Sequence, residues 1–217
     1  MIHNSDWRTR IVNYPSLIEW LSARPDVKFC DMWEGIVTPK DVSTMAWLPH
    51  IAVAGGATIQ QLALATCGVA KQLCAPVEDS YALHLRAIEI VESWANGKAS
   101  LDQVLDIVFD LIVYSNGSAR ELFGATYLIT GVSSIASEVH AAIINTALVP
   151  YSTHPNFSVD MDVFNNTPAN YASLALMHGE QAGFDGNGLL AKFRELLPFE
   201  PVREKRLTHW QRLAMDD

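Results

Sequence analysis

The chain has 217 residues, 49% of them hydrophobic, and a formal net charge of −9. That apolar content excludes a disordered chain and suffices, at this length, for one sizeable core. The negative balance argues against nucleic acid or an anionic membrane as the main partner and suits a basic protein.

The first 57 residues carry the signals of two short helices. Pro15-Ser16-Leu17-Ile18-Glu19 has the form of a capping box, with its hydroxyl at Ser16 and its acid at Glu19, and opens a helix that stops before Pro25. Thr38-Pro39-Lys40-Asp41 puts proline at the first helical position and an acid at the third. A second helix is therefore expected to run to Trp47 and end before Pro49. Trp7, Trp20, Trp33 and Trp47 crowd this segment, as anchors that glue short helices onto a larger body. Gly55-Gly56 then marks a turn, and no GxxxxGK[ST] or GxGxxG surrounds it, so it is no phosphate loop.

From Thr58 to Leu148 the sequence predicts four consecutive helices. Thr58-Ile59-Gln60-Gln61, Ser100-Leu101-Asp102-Gln103 and Ser118-Ala119-Arg120-Glu121 each have a hydroxyl residue followed three positions later by Gln or Glu. Pro76, Asn96-Gly97 and Asn116-Gly117 supply the stops. Apolar residues at Leu85, Ile88, Val91 and Ala95 predict one buried face, broadened by Trp94. Leu101, Val104, Leu105, Val108, Leu111 and Ile112 predict another. The short connection between these two helices makes them antiparallel neighbours.

The fourth helix differs in kind. Leu122 to Ser137 contains no charged residue and places small residues at Gly124, Ala125, Gly131, Ser133, Ser134 and Ala136. A helix apolar on most sides is buried in a bundle or in a bilayer. This run is shorter than the roughly 18 residues of a membrane span. The expectation is a central helix over Leu122–Leu148, with Gly124 and Gly131 letting neighbours approach closely.

Pro150 to Pro168 reads as a long irregular connection. Thr167-Pro168 starts a helix ending near His178-Gly179, and Asp185-Gly186-Asn187-Gly188 turns into another that stops before Pro198. Arg203, Lys205, Arg206 and Arg212 stand beside Trp210 in a basic C-terminal segment, either docked on the acidic middle or solvated. The fold expected is all-α: a multi-helix bundle or helical array with a central small-residue-rich helix. Residues 1–57 would pack Trp-rich helices on a core formed by 58–148, and 149–217 would add a loop and C-terminal helices to one compact unit.

Sequence signals for catalysis are sparse. Cys30, Cys67 and Cys74 form no CxxC pair, and Cys67 and Cys74 share one helix face as small buried groups. An odd number of thiols and no charged-then-apolar leader pattern point to a reducing, cytoplasmic setting. No HExxH, GxSxG or Cys–His signature is present. Asp185 to Leu190 lacks the final glutamate of a calcium loop. Glu138 and His140, two apart on a helix, point in different directions. His84, near a helix start, is expected at the surface or as a cap. His154 and His178 lie in the C-terminal part, where a small-molecule or metal-dependent enzyme would have to assemble its site from them and nearby acids. No catalytic, metal-binding or cofactor-binding residue is assigned.

The distinctive chemical feature is an acidic stripe. Asp102, Asp106 and Asp110 recur every four residues on one helix face, although like charges at that spacing cost about 0.2–0.5 kcal/mol per pair. Asp102 gains from its place near the helix N-terminus; the other two do not. Glu89 and Glu92 extend the patch from the preceding helix. Between Glu78 and Asp162 eleven acids face only Arg86, Lys98 and Arg120, so most of the net charge sits mid-chain. A solvated helix face is one reading, and a surface that steers a basic partner is the other.

The run Leu62-Ala63-Leu64-Ala65-Thr66-Cys67-Gly68-Val69-Ala70 and the hairpin Ala87-Ile88-Glu89-Ile90-Val91-Glu92-Ser93-Trp94-Ala95-Asn96-Gly97-Lys98-Ala99-Ser100 resemble the Imm5-like immunity proteins of bacteria and their phages. So does the following small-residue-rich helix with Val139-His140-Ala141-Ala142. The likeness spans about residues 40–148. The helix after Ser100 departs from it, carrying Leu, Ile, Val and Asp where that family is rich in alanine and histidine. The resemblance implies a helical binding protein, without catalytic residues, that neutralises a toxin or a host defence component. A homo-oligomer joined through the small-residue helix is the third expectation.

Overall fold

A computed structural model describes residues 7–11, 14–34, 44–74, 82–114, 135–152 and 167–197. Among these residues the secondary structure is helical throughout, with no strand. After a 3₁₀ turn at Trp7–Arg10 come α1 (Pro15–Ser22), α2 (Phe29–Trp33), α3 (Thr44–Ala54), α4 (Ile59–Cys74) and α5 (Ala82–Ala95). Then follow α6 (Leu101–Tyr114), α7 (Ile135–Tyr151), α8 (Pro168–Gln181) and α9 (Gly186–Glu195). None of the described helices is long and apolar enough to cross a membrane.

The joints form as their chemistry dictates. Thr58 Oγ1 accepts from the Gln61 amide at 3.2 Å while Gln61 Oε1 accepts from the Thr58 amide at 2.9 Å. Ser100 and Gln103 repeat the exchange at 3.2 and 2.8 Å. Gly97 ends α5 at a φ of +72°, a left-handed conformation that side chains with a Cβ resist. The Lys98 amide then reaches back to the Ser93 carbonyl at 2.7 Å. Thr167 and Asp185 cap α8 and α9 through their side-chain oxygens.

Helix α7 is the centre. It packs against α4, α5, α6 and α8, and Val139, Ala142 to Thr146, Ala147, Leu148 and Val149 are all buried. Its most extensive partner is α8, whose buried residues Ala169, Ala172, Ser173, Ala175 and Gly179 are small. The buried hydroxyls are satisfied within the bundle. Thr66 donates to Leu62, Thr146 to Ala142, and Ser173 to both Ala169 and Ala46.

The N-terminal pieces dock mainly on α3. Trp20 meets Trp47 edge-on at 5.4 Å, Trp7 meets Phe29 at 5.6 Å, and Phe29 stacks on Trp33. The Arg8 guanidinium donates to the Leu21 and Val27 carbonyls. Arg194 of α9 fastens α2 by donating to the Trp33 carbonyl at 2.6 Å. The tryptophans therefore act as packing anchors, and one continuous core runs from Trp7 to Leu197.

Several expectations are corrected. The helix around Trp47 does not end before Pro49 but carries it in its interior and continues to Ala54. Interior proline costs about 3 kcal/mol, and here nearly every residue from Met45 to Ala54 is buried, so packing outweighs the lost hydrogen bond. Ser16 does not cap α1: Pro15 occupies the first turn, Tyr14 is the N-cap, and no side chain caps it. The short helix α2 between Pro25 and Gly35 was not foreseen. In α5 the buried face is His84, Ala87, Ile88 and Val91, which leaves Leu85 exposed. The starts at Thr38-Pro39 and Ser118, the stops at Pro76 and Asn116-Gly117, and Gly124 and Gly131 lie outside the described residues.

Candidate functional site

Two regions gather side chains able to act chemically. The first is the outer face of the α5–α6 hairpin. Helix α6 buries Val104, Ile107, Val108, Leu111 and Ile112 and turns Asp102, Asp106 and Asp110 outward, all exposed. Phe109, 52% exposed, projects at the edge of this stripe, beside Asp102 and about 60° from Asp106 at 3.6 residues per turn. Glu89 is exposed on α5. Glu92 is half-buried and paired with Lys71 of α4 at 2.7 Å, so its charge is shared rather than presented. Asp102, Asp106 and Asp110 thus share one exposed face of α6, whereas Glu92 is tied to α4, and Phe109 is an addition that composition and charge did not point to.

The second region is a buried polar layer at one end of the bundle. It lies near the starts of α5 and α7 and near the ends of α6 and α8. His84 of α5, only 2% exposed, meets His140 of α7 with Nε2 and Nδ1 2.7 Å apart, the rings edge to face. His140 also lies against the Leu111 carbonyl of α6, which favours a proton on its ring. Burial pulls His84 down to about 4, with the neighbouring His140 adding to the effect, and burial lowers His140 as well. On the other side of α7, Glu138 Oε2 and His178 Nδ1 of α8 are 2.6 Å apart. Glu138 and His140 therefore serve different neighbours, as their spacing requires.

His84, expected at the surface or as a cap, is instead a core histidine that ties α5 to α7. Its place in the series 84, 87, 88, 91 is the apolar spacing of a buried face, and that was the signal available. His178 finds an acid, Glu138, whereas His154 and the basic segment around Trp210 lie outside the described residues. Among the described residues no group of three or more His, Cys, Asp or Glu is placed to hold a metal.

A third histidine, His50 of α3, is 5% exposed, lies against Tyr14 at 4.4 Å between ring centroids and is hydrogen-bonded to the Asn170 side chain, which favours its protonated form. Burial pulls it down to about 4. Cys67 and Cys74 are buried thiols whose ionisation burial suppresses, so they act as small apolar groups. The chain matches no family model, and comparison with curated proteins and with solved structures returned no significant similarity.

Proposed function

We propose that the protein is a non-enzymatic binding protein that neutralises its partner by stoichiometric contact through the outer face of α6. The observation that carries the proposal is Phe109, more than half exposed along the edge of a row of exposed aspartates. Burying a phenylalanine side chain is worth about 1.5–3 kcal/mol, so an aromatic left in water is an anchor in want of a pocket. The aspartates steer basic partners toward it and penalise acidic ones. They also disfavour self-association through this face, because a two-fold axis would set like charges opposite each other. The partner expected is a basic protein with an apolar pocket. The resemblance of residues 40–148 to immunity proteins supports a toxin or a host defence component as that partner.

The test is capture from host lysate with the wild type, with Asp106→Lys/Asp110→Lys, and with Phe109→Ala as baits. Both variants should lose the partner while circular dichroism shows unchanged helical content. Undiminished capture by the charge-reversed bait would reject the proposal.

A second reading rests on the Glu138–His178 pair, in which a carboxylate orients an imidazole as in acid–base enzymes. It would require a substrate-accessible reacting group beside His178. Metal analysis of the purified protein and an activity screen against His178→Gln separate this reading from the first.

A further inference from the structure

The His84–His140 contact joins three helices at one buried point, and it works only with the right number of protons. At 2.7 Å between Nε2 and Nδ1, one nitrogen must donate and the other accept. The Leu111 carbonyl near His140 favours a proton on that ring, and with this proton on Nε2 the ring offers Nδ1 as the acceptor while His84 donates through Nε2. A first added proton can settle on His84 Nδ1 without touching that bond. A second would have to occupy His140 Nδ1. Two N–H groups would then face each other across a contact built for one, and two cations would share a buried site.

The charged and titratable groups on the packed elements are few. On α4, Lys71 pairs with Glu92 of α5, Cys67 donates to the Ile88 carbonyl, and Cys74 is buried. On α5, Arg86 and Glu89 are exposed, as are Asp102, Asp106 and Asp110 on α6 and Glu180 on α8. On α7, Glu138 is held by His178 of α8. The charge His84 feels most is that of its partner ring.

We propose that the His84–His140 pair is a proton-operated latch that holds the first turns of α5 against α7 and the end of α6, and releases them on acidification. Released rings regain water and with it their ordinary affinity for protons. Over the interval from 6.5 down to about 4, the open-to-closed ratio therefore rises about tenfold per pH unit for the one ring. Asp110 adjoins Leu111 in the chain and Phe109 precedes it by two residues, which puts the latch close to the outer face of α6. The latch itself does not depend on what that face binds.

The experiment is amide hydrogen exchange on the whole chain between pH 7 and pH 4, corrected for the intrinsic rate. His C2 proton shifts are followed on the same samples. Opening of Leu83 to Ile88 should rise by about tenfold between pH 6 and pH 5, ahead of the His84 ring titration near 4 in the closed state, while Leu189 to Phe193 of α9 stays protected. His84→Gln/His140→Asn keeps polar atoms near the contacting nitrogens but cannot titrate, and its exchange in α5 should be flat over that range. His178→Gln should retain the wild-type response. If the double variant does not fold, the wild type still decides. Titration of both rings with no rise in exchange at Leu83 to Ile88 overturns the latch, and so does an equal acid response in a folded double variant.

Discussion

Gly179 and Gly68 offer a paired test of the packing. Both are helical, so replacing either by alanine gains about 1 kcal/mol of helix propensity. Their surroundings differ. A methyl group at Gly179 would stand 2.9 Å from Leu189 Cδ1 and 3.3 Å from Leu73 Cδ2, and both leucines are buried at the junction of α4, α8 and α9. Overpacking of that kind costs about 1–3 kcal/mol, which exceeds the propensity gain. Gly179→Ala should therefore destabilise the protein by about 1 kcal/mol. At Gly68 the methyl would overlap a single side chain, that of Leu196, with Cδ1 at 2.0 Å. Leu196 is half-buried at the end of α9 and can swing outward. Gly68→Ala should come out near neutral, the gain in propensity offsetting the lost contact. Urea denaturation followed by circular dichroism gives both midpoints. A Gly179→Ala protein as stable as Gly68→Ala, or more so, would refute the reasoning that the α4–α8–α9 junction has no slack.

Trp47→Ala removes a buried side chain that anchors Trp20, and should cost about 3–5 kcal/mol in the same denaturation assay, with loss of Trp fluorescence shift as the N-terminal helices detach. His50 is held neutral in the folded state, so its contribution is complete above pH 6.5 and is lost as pH falls toward 4. The loss amounts to about 3 kcal/mol, and His50→Phe should flatten the stability-against-pH curve by that amount. Asp185→Ala deletes the cap that accepts from Asn187 and Gly188, and should cost about 1 kcal/mol with increased exchange at the start of α9.

The helices were legible where local chemistry decides them. Thr58 with Gln61, Ser100 with Gln103, Gly97, Thr167 and Asp185 each act through neighbours within four residues, so sequence spacing alone reveals them. Pro49 was misread because a local penalty was overcome by burial on nearly every side, and burial is a property of the assembled bundle. His84 was misread for a related reason. Its polarity suggested solvent, yet its partner, His140, comes from a helix 56 residues away. The acidic stripe was visible in its four-residue period, whereas the exposure of Phe109 was not, because an aromatic residue in an apolar run is ordinarily assigned to the core.

The central claim is that α6 touches the partner, and photocrosslinking from within that face tests it most directly. A photoreactive phenylalanine analogue at position 109 should give one crosslinked species in cells. The same analogue at Val53, an exposed apolar position on α3, should give none, and Asp106→Lys/Asp110→Lys should abolish the species from 109. Crosslinking from 53 as strong as from 109, or a species from 109 that survives the charge reversal, would contradict the account.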